Sequence, residues 1–420
     1  MRVNQRFPKF SEALRLWLKI GCIGFGGPSG QIGILHAEVV ETRKWISDQE
    51  FVRALQFCMS LPGPEAQQLA TYLGWRLHGI RGGIAAGVLF VLPAALLLWI
   101  LSLLYVVGQN VPLLHAFFEG LKPAVVAIVA SALWRIGART VTTPMLGAVA
   151  LLAFFLFAFH ASYPAVVIGF GLFGFFFLGK DQEHQVHMTQ QQDWLASIRV
   201  ALLLLALWAI PTLALFLWLG SKALPVKIGL FFGKVALFSF GGAYAALSYV
   251  SLHSATDWGW VTSSQMMDGL GLAETTPGPL LITLQFVAFL ASYNHPGILS
   301  PLLAATLGSL TGLWSLFLPS FLWIFTLAPH MEYLSSQPRM NGALTAIGAV
   351  VTAVIAYLAL WFAENLFFPQ GLRLGSLVDI AWRPLILAMI SFALLVSRRI
   401  GMVPLILLAG GLGVILKVVV

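Results

Sequence analysis

Long apolar stretches separated by short polar breaks run along the whole of this 420-residue chain. A helix needs roughly 20 apolar residues to cross a hydrocarbon core about 30 Å thick. The stretches lack the period-2 alternation that the strands of a membrane barrel require. The pattern therefore predicts membrane helices. In the first half of the chain we expect membrane segments at 12–33, 51–80, 83–107, 114–136, 143–160 and 163–179.

Two short motifs occur twice in the same register. Phe25-Gly26-Gly27 recurs 215 positions later as Phe240-Gly241-Gly242. Pro62-Gly63-Pro64 recurs at the same distance as Pro277-Gly278-Pro279. One such match could arise by chance, but a shared register over several matches indicates an internal repeat. The chain is therefore expected to consist of two homologous halves.

The repeat predicts how the chain is organised. We place the halves at 1–180 and 223–420, with a polar loop and one connecting membrane helix in 181–222. One extra crossing after six segments puts the second half into the membrane upside down, as in many secondary transporters. The predicted fold class is an all-α polytopic membrane protein. Its two halves are inverted repeats of about six membrane segments each, plus the connecting helix.

The loop between the halves, KDQEHQVHMTQQQDW, is the most polar part of the chain. Its residues Asp181, Glu183, His184 and His187 allow an interpretation as a metal site. A solvated loop is the favoured interpretation, because membrane proteins place polar runs outside the bilayer. We expect no metal and no cofactor.

Composition supports the membrane interpretation and narrows the function. Hydrophobic residues make up 59% of the chain and charged residues 10%, too few for the surface of a soluble protein. The net charge of +8 comes from Lys and Arg scattered at segment ends, with no basic run for a nucleic acid. The chain lacks a G-x-S-x-G elbow and an H-E-x-x-H motif, so we do not expect an enzyme.

The repeated motifs interrupt helices inside apolar segments. The freed backbone groups survive at membrane depth only when protein buries them or when they line an aqueous cavity. Four interruptions at corresponding places point to one central site, and the helix N-termini there favour an anion. The predicted substrate-binding residues are Lys19, Gly26, Gly27, Pro28, Pro62, Gly63, Pro64, Gln67, Lys234, Gly241, Gly242, Pro277, Gly278 and Pro279.

The charged residues near these motifs allow two interpretations each. Lys19 and Lys234 share a repeat position, and an intramembrane lysine costs about 2.5–3.5 kcal/mol, so the pair indicates function. The alternative is that each lysine extends to the membrane interface. Glu65 and Glu274 are candidates for ion coupling by carrying a proton or a cation. For Glu65, the alternative is a structural ion pair with Arg76 or Arg53.

Several stretches resemble the chromate ion transporter family. They are FGGPSGQIGILHAEVVETRKWIS, SLPGPEAQQLATYLGW, GIRGGIAAGVLFVLPA, FGGAYAALSYV and AETTPGPLLITLQF. The resemblance covers both halves, nearly the whole chain outside 180–225. It differs between the halves at one point, where Ala243 and Tyr244 replace Pro28 and Ser29.

The resemblance implies a multi-pass protein of the plasma (inner) membrane that exports chromate and so confers chromate resistance. Sulfate is implied as a related or competing oxyanion. Broken-helix inverted repeats favour alternating access. The alternatives are a proton-coupled carrier of sulfate or an organic anion, a channel and, less favoured, a membrane-embedded enzyme. The expected partners are the oxyanion and the lipid bilayer, with no nucleic acid; homo-oligomerisation stays open.

Overall fold

The computed structural model describes residues 8–179, 194–331, 337–370 and 380–419, and these residues form helices and connecting turns without a strand. The loop residues that allowed the metal interpretation lie outside the described residues. The predicted all-α class is confirmed.

Seven helices make up the first half. They are α1 (Phe10–Ile23), α2 (Gly27–His36), α3 (Asp48–Met59), α4 (Glu65–Val107), α5 (Pro112–Thr140), α6 (Pro144–Ala158) and α7 (Tyr163–Phe177). A π-helical turn, Ala37–Thr42, follows α2. The long helix α4 is broken at His78 and Gly79, whose backbone angles are not helical.

The connecting helix precedes the second half, which repeats this order. The helices are α8 (Trp194–Leu219), α9 (Leu224–Phe238), α10 (Ala243–Leu252), α11 (Ser263–Glu274), α12 (Thr283–Asn294), α13 (Pro301–Leu327), α14 (Pro338–Phe367), α15 (Trp382–Val396) and α16 (Met402–Val419). A π-helical turn, His253–Asp257, follows α10 as its counterpart follows α2. Helices α12 and α13 together correspond to the two parts of α4.

Within the described residues, six helical runs are long and apolar enough to cross a membrane. They are Glu65–Asn110, Pro112–Thr140, Trp194–Leu219, Pro301–His330, Pro338–Phe367 and Met402–Val419. Helices α6, α7 and α15 are apolar but shorter. The protein is a multi-pass membrane protein.

The first two segments of each half turn back on themselves. If residues 19 to 38 formed one helix, these positions would lie about 28 Å apart. Instead, Lys19 Nζ lies 2.5 Å from Glu38 Oε1, so the chain reverses between α1 and α2. Arg76 on α4 likewise reaches back to Glu50 on α3, with 2.7 Å between Nε and Oε1. We call these helix pairs hairpins and the motifs at their turns tips.

The two halves are interleaved rather than side by side. Helix α5 of the first half packs on α15 and α16, and α14 of the second half packs on α6 and α7. Glycines allow the close approach: a Cβ on Gly120 of α5 would lie 2.7 Å from Gly413 Cα on α16. Gly174 of α7 and Gly342 of α14 make the corresponding contact. Each half therefore completes its packing with helices of the other.

The connecting helix α8 lies at the edge of this bundle. It packs on α9 and α13 and exposes a row of large apolar side chains, including Leu203, Leu217 and Trp218. An exposed apolar surface of this extent suits lipid rather than water. Helix α8 therefore joins the halves without entering the centre, where the hairpin tips meet.

Candidate functional site

The tips of the hairpins are bonded to each other across the two halves. The Gly63 N–H donates to the Ser239 carbonyl at 2.9 Å, and the Gly278 N–H donates to the Gly24 carbonyl at 2.9 Å. Ser239 follows Gly24 by the same 215 positions that separate Gly278 from Gly63. The exchange is therefore reciprocal, and four interrupted helices meet at the centre of the molecule.

The Pro-Gly-Pro tips need glycine for two reasons. Gly63 has a φ of +128° and Gly278 a φ of +120°, a backbone region that side chains with a Cβ rarely adopt. A Cβ on Gly63 would also lie 2.7 Å from Gln68 Nε2, and one on Gly278 would overlap the Ala94 side chain. Pro62, Pro64, Pro277 and Pro279 flank these glycines and are buried. Each tip is a rigid turn whose N–H is aimed at the other half.

The Phe-Gly-Gly tips also lie in the left-handed region. The φ angles are +90° at Gly26, +67° at Gly27, +73° at Gly241 and +95° at Gly242. Helix α2 starts at Gly27 with Pro28 beside it, and α10 starts after Gly242. These glycines turn the chain so that the N-termini of α2 and α10 begin at the tips.

Glutamine side chains form hydrogen bonds at the two places where a tip of one half bonds to a tip of the other. We call these places crossings. Gln31 is fully buried, and its Nε2 donates to the carbonyls of Gly24, at 3.1 Å, and of Gly278. At the other crossing, Gln68 Nε2 donates to the Pro62 carbonyl at 2.7 Å. Different residues therefore hold the two equivalent turns.

Several buried polar atoms near the tips have no hydrogen-bond partner among the described residues. Both amide atoms of Gln67 are unpaired although the side chain is fully buried. The hydroxyls of Ser239 and Ser320 are also buried and unpaired. Ser320 Oγ lies 3.2 Å from the position of a Cβ on Gly63. Buried unpaired groups are uncommon in native proteins, so their concentration at one crossing marks a place where a ligand or water would bind.

The paired lysines do not have equivalent surroundings. Lys19 forms an ion pair with Glu38, which also binds Arg43, and the Lys19 side chain is 52% exposed. Lys234 is exposed, and no ion pair involves it within the described residues. The residue at the position of Glu38 in the second half is His253. The structure thus places both lysines on exposed faces of their hairpins, not among the buried groups at the tips.

Glu65 begins α4 directly after the first Pro-Gly-Pro tip. The sequence allowed a structural ion pair of this residue with Arg76 or Arg53 as the alternative to ion coupling. Arg76 instead binds Glu50, and neither arginine pairs with Glu65 in the described part of the chain. The Glu65 carboxylate lies beside Gly242, with Oε1 3.5 Å from the position of a Cβ there. This carboxylate from the first half therefore sits at the N-terminus of α10 in the second.

Glu274 occupies a different environment. It is buried at the end of α11, and Tyr244 OH donates to its Oε1 at 3.0 Å. Tyr244 stands where the first half has the exposed Ser29. The substitution that distinguishes the halves therefore supplies a hydrogen bond that holds α10 to α11.

The two halves differ in how tightly their first hairpins are packed. Helix α10 is buried along nearly all of its length and packs on α14, whereas α2 has only two buried residues, Gln31 and Leu35, and packs mainly on α4. Helix α11 packs on α5, whereas its counterpart α3 packs mainly on α4. The hairpins of the second half are closed against the bundle, and those of the first half are open.

Sequence reasoning found the four tips but missed residues that connect them. Gly24 and Ser239 accept the reciprocal hydrogen bonds through their backbones, which no side-chain pattern can reveal. Ser320 comes from α13, far from either motif in the chain. Gln31 carried a usable signal, since a glutamine four residues into a broken apolar helix needs a partner.

Comparisons with known proteins agree with the two-half architecture. The family model described as "Chromate transporter" matches residues 11–175 and 226–414. A chromate transport protein of Pseudomonas aeruginosa is 30% identical over 351 residues, 82% of this chain and 79% of that protein. A chromate transport protein of Cupriavidus metallidurans is 27% identical over 351 residues, 82% and 81% of the two chains.

An uncharacterised transporter of Methanocaldococcus jannaschii is 27% identical over 386 residues, 91% of this chain and 88% of that protein. None of the solved structures matches the chain. The family model covers both halves and leaves out the connecting region, where the repeat is also interrupted. The chain therefore belongs to the chromate transporter family.

Proposed function

We propose that this protein exports chromate across the plasma membrane through a site formed by the four hairpin tips. The observation that carries the proposal is the reciprocal pair of hydrogen bonds from Gly63 to Ser239 and from Gly278 to Gly24. These bonds join the tips from which two helices start, and a group of unpaired polar atoms lies at one of the two crossings. The family and its named relatives support chromate as the substrate, and we propose sulfate as a competing oxyanion because it is a dianion of similar size.

The N-terminus of α2 is the better of the two places for a dianion. Its first residues, Gly27, Pro28 and Ser29, are partly or fully accessible. Free N–H groups at a helix start carry a partial positive charge and bind oxyanions. At the equivalent position in the second half, Glu65 already supplies a carboxylate, and Ala243 and Tyr244 are buried. The two halves therefore have different roles. Substrate binds at the N-terminus of α2, and the Glu65 carboxylate occupies the N-terminus of α10.

We include in the proposed site Gln67 and the hydroxyls of Ser239 and Ser320, which lie at the crossing of Gly63 with Ser239. They supply N–H and O–H donors that have no other use among the described residues. The exposed lysines Lys19 and Lys234 attract the anion toward the tips. Electrostatic attraction of this kind raises the local substrate concentration without direct contact.

Alternating access follows from the difference between the hairpins. In one conformation of the transporter the hairpins of the second half are closed and those of the first half are open. In the other conformation the two halves exchange these arrangements. Export is electrically downhill, because a dianion that leaves a cell interior 100 mV negative gains about 4.6 kcal/mol. Uptake would need coupled cations to overcome the same electrical free energy.

Everted membrane vesicles test the proposal directly. Vesicles containing the protein should accumulate labelled chromate, and unlabelled sulfate should compete. Vesicles with Gly63→Ala should lose this accumulation, and vesicles with Gly169→Ala, whose added Cβ meets no atom within 4 Å, serve as the matched control. Transport of a different solute without chromate flux would overturn the proposal.

A further inference from the structure

A second polar cavity lies apart from the hairpin tips. It has a volume of about 320 Å³ and lies between the end of α4, the first turns of α5 and the start of α11. Its polar lining includes Tyr105, His115, Glu119, Lys122, Gln265 and Asp268. No part of the proposed chromate site uses these residues.

Asp268 is the buried centre of this cavity. The residue is 3% exposed, and its Oδ2 accepts a hydrogen bond from Tyr105 OH at 2.9 Å. Its Oδ1 is buried and has no partner among the described residues. A carboxylate oxygen without a donor in a buried place is costly, so Oδ1 marks a position that something else must fill.

Lys122 is the one lysine or arginine among the described residues that line this cavity. The residue is 4% exposed, and its ammonium group binds Glu119 on the same helix rather than Asp268. Lys122 and Asp268 nevertheless line the same cavity. One buried lysine therefore faces two carboxylates, and one added proton would make the cluster neutral.

The cavity connects this cluster to the surroundings. The Glu119 side chain is 51% exposed and the His115 side chain 70% exposed, and they lie 3.8 Å apart. Protons can therefore reach the mouth of the cavity while Asp268 stays inside. The titratable groups facing Asp268 are Tyr105 from α4 and His115, Glu119 and Lys122 from α5; its own helix adds no other within the cavity lining.

The first half has no equivalent of this cluster. The position corresponding to Asp268 is Arg53, which is exposed on α3. The carboxylate therefore belongs to the second half alone. Its presence in one half, where the hairpins are closed, indicates a role in that difference.

We propose that Asp268, with Tyr105, Glu119 and Lys122, forms a proton-exchange site that couples chromate transport to a proton gradient. A proton that enters past Glu119 and His115 forms an O–H bond at Asp268 Oδ1, and the same bond breaks when the proton leaves. The ionised carboxylate attracts Lys122 and holds α11 to α5. The neutral carboxyl releases this attraction. Because α11 leads to the tip at Gly278, the change reaches the substrate site.

This inference rests on the proposed function, and one experiment separates the two. The full-length protein is reconstituted in liposomes with the membrane potential clamped at zero, and labelled chromate is followed under an imposed pH gradient. For each coupled proton, one pH unit should shift the chromate distribution about tenfold. Asp268→Asn should lose this response but keep exchange of labelled for unlabelled chromate. Asp268→Glu should restore the response.

Asp257→Asn provides a matched control, because Asp257 is an acidic residue outside the cavity whose side chain is 47% exposed. It should respond to the pH gradient like the unaltered protein. A response retained in Asp268→Asn, or a chromate flux that follows a sodium gradient instead, would overturn the inference. If no chromate moves in any variant, the proposed function fails.

Infrared difference titration of the purified protein tests the proton site without chromate. Acidification should produce C=O stretching bands of buried protonated carboxyls, and one component of these bands should be missing from Asp268→Asn. A set of bands unchanged by the substitution would rule out Asp268 as the proton acceptor, whatever the transport result.

Discussion

The Gly63 N–H donates a hydrogen bond of 2.9 Å to the carbonyl of Ser239, which belongs to the other half of the chain. A Pro-Gly-Pro tip of one repeat is thereby fixed to a Phe-Gly-Gly tip of the other. Neither half contains a complete site alone. Motion of one hairpin therefore reaches the opposite half through the backbone, at the place where we propose that the oxyanion binds.

Substitution of the tip glycines should abolish transport. Gly63→Ala and Gly278→Ala each force a Cβ into the left-handed region, at a cost of about 1–3 kcal/mol, and also create an overlap. We expect loss of chromate flux in vesicles and a lower unfolding temperature. Gly169→Ala on α7 is the control, because no atom lies within 4 Å of the added Cβ. Normal flux in both tip variants would contradict the role of the tips.

Gln67 and Gln31 should separate function from stability. Gln67→Leu removes a buried amide that has no partner, so the unfolding temperature should hold or rise while chromate flux falls. Gln31→Leu removes the amide that joins Gly24 and Gly278. The Gly24 carbonyl keeps the Gly278 N–H, so the Gly278 carbonyl alone loses its donor, and about 1–3 kcal/mol of stability should be lost. Thermal unfolding and chromate flux measured on both variants show whether Gln67 acts in transport and Gln31 in stability. Unchanged flux in Gln67→Leu would exclude Gln67 from the substrate site.

The ion pair of Lys19 with Glu38 allows a charge-swap experiment. Exposed ion pairs contribute about 0.2–1 kcal/mol, so Lys19→Ala should leave the fold intact. We expect weaker chromate exclusion in Lys19→Ala and preserved exclusion in Glu38→Gln, because Lys19 attracts the anion. The swapped variant, with Lys19→Glu and Glu38→Lys, should stay defective. Recovery of exclusion in the swapped variant would make Lys19 a structural partner of Glu38.

Double-mutant cycles should show whether Arg76 forms its ion pair with Glu50 or with Glu65. Arg76→Ala and Glu50→Ala are expected to be coupled by about 0.2–1 kcal/mol, as measured for exposed pairs. Arg76→Ala and Glu65→Gln should be additive in the free energy of unfolding, since no contact joins them. Chromate flux should fall in Glu65→Gln but not in Arg76→Ala. Coupling between Arg76 and Glu65 would restore the structural interpretation of Glu65.

Much of the fold could be predicted because membrane helices leave a strong signal in a single sequence. Apolar length determines which segments cross, and the constant register of the glycine and proline motifs reveals the repeat. The motifs also located the interruptions, since Gly63 and Gly278 need backbone angles that few other residues adopt. Segments 12–33 and 51–80 were expected as single membrane segments, and their doubling back as hairpins was not foreseen.

The candidate site was less accessible to sequence reasoning. The shared register of Lys19 and Lys234 suggested equal roles, yet Glu38 faces one lysine and the position of Glu38 is His253 in the other half. The partner of Arg76 depends on how α3 and α4 fold back, so the nearby Glu65 was as good a candidate as Glu50. Asp268 and Lys122 are 146 positions apart and share no motif, and only packing of α11 on α5 brings them together.

By itself the sequence determined that this chain lies in a membrane, that its two halves are homologous and that its helices break at four corresponding motifs. Hydrophobic length and backbone stereochemistry are local properties, because they depend only on residues that are close together in the chain. The tertiary structure decided which tips bond to each other, which lysine is paired and which hairpin is closed. These outcomes depend on hydrogen bonds and charges between residues far apart in the chain, where the same residue type has a different partner in each half.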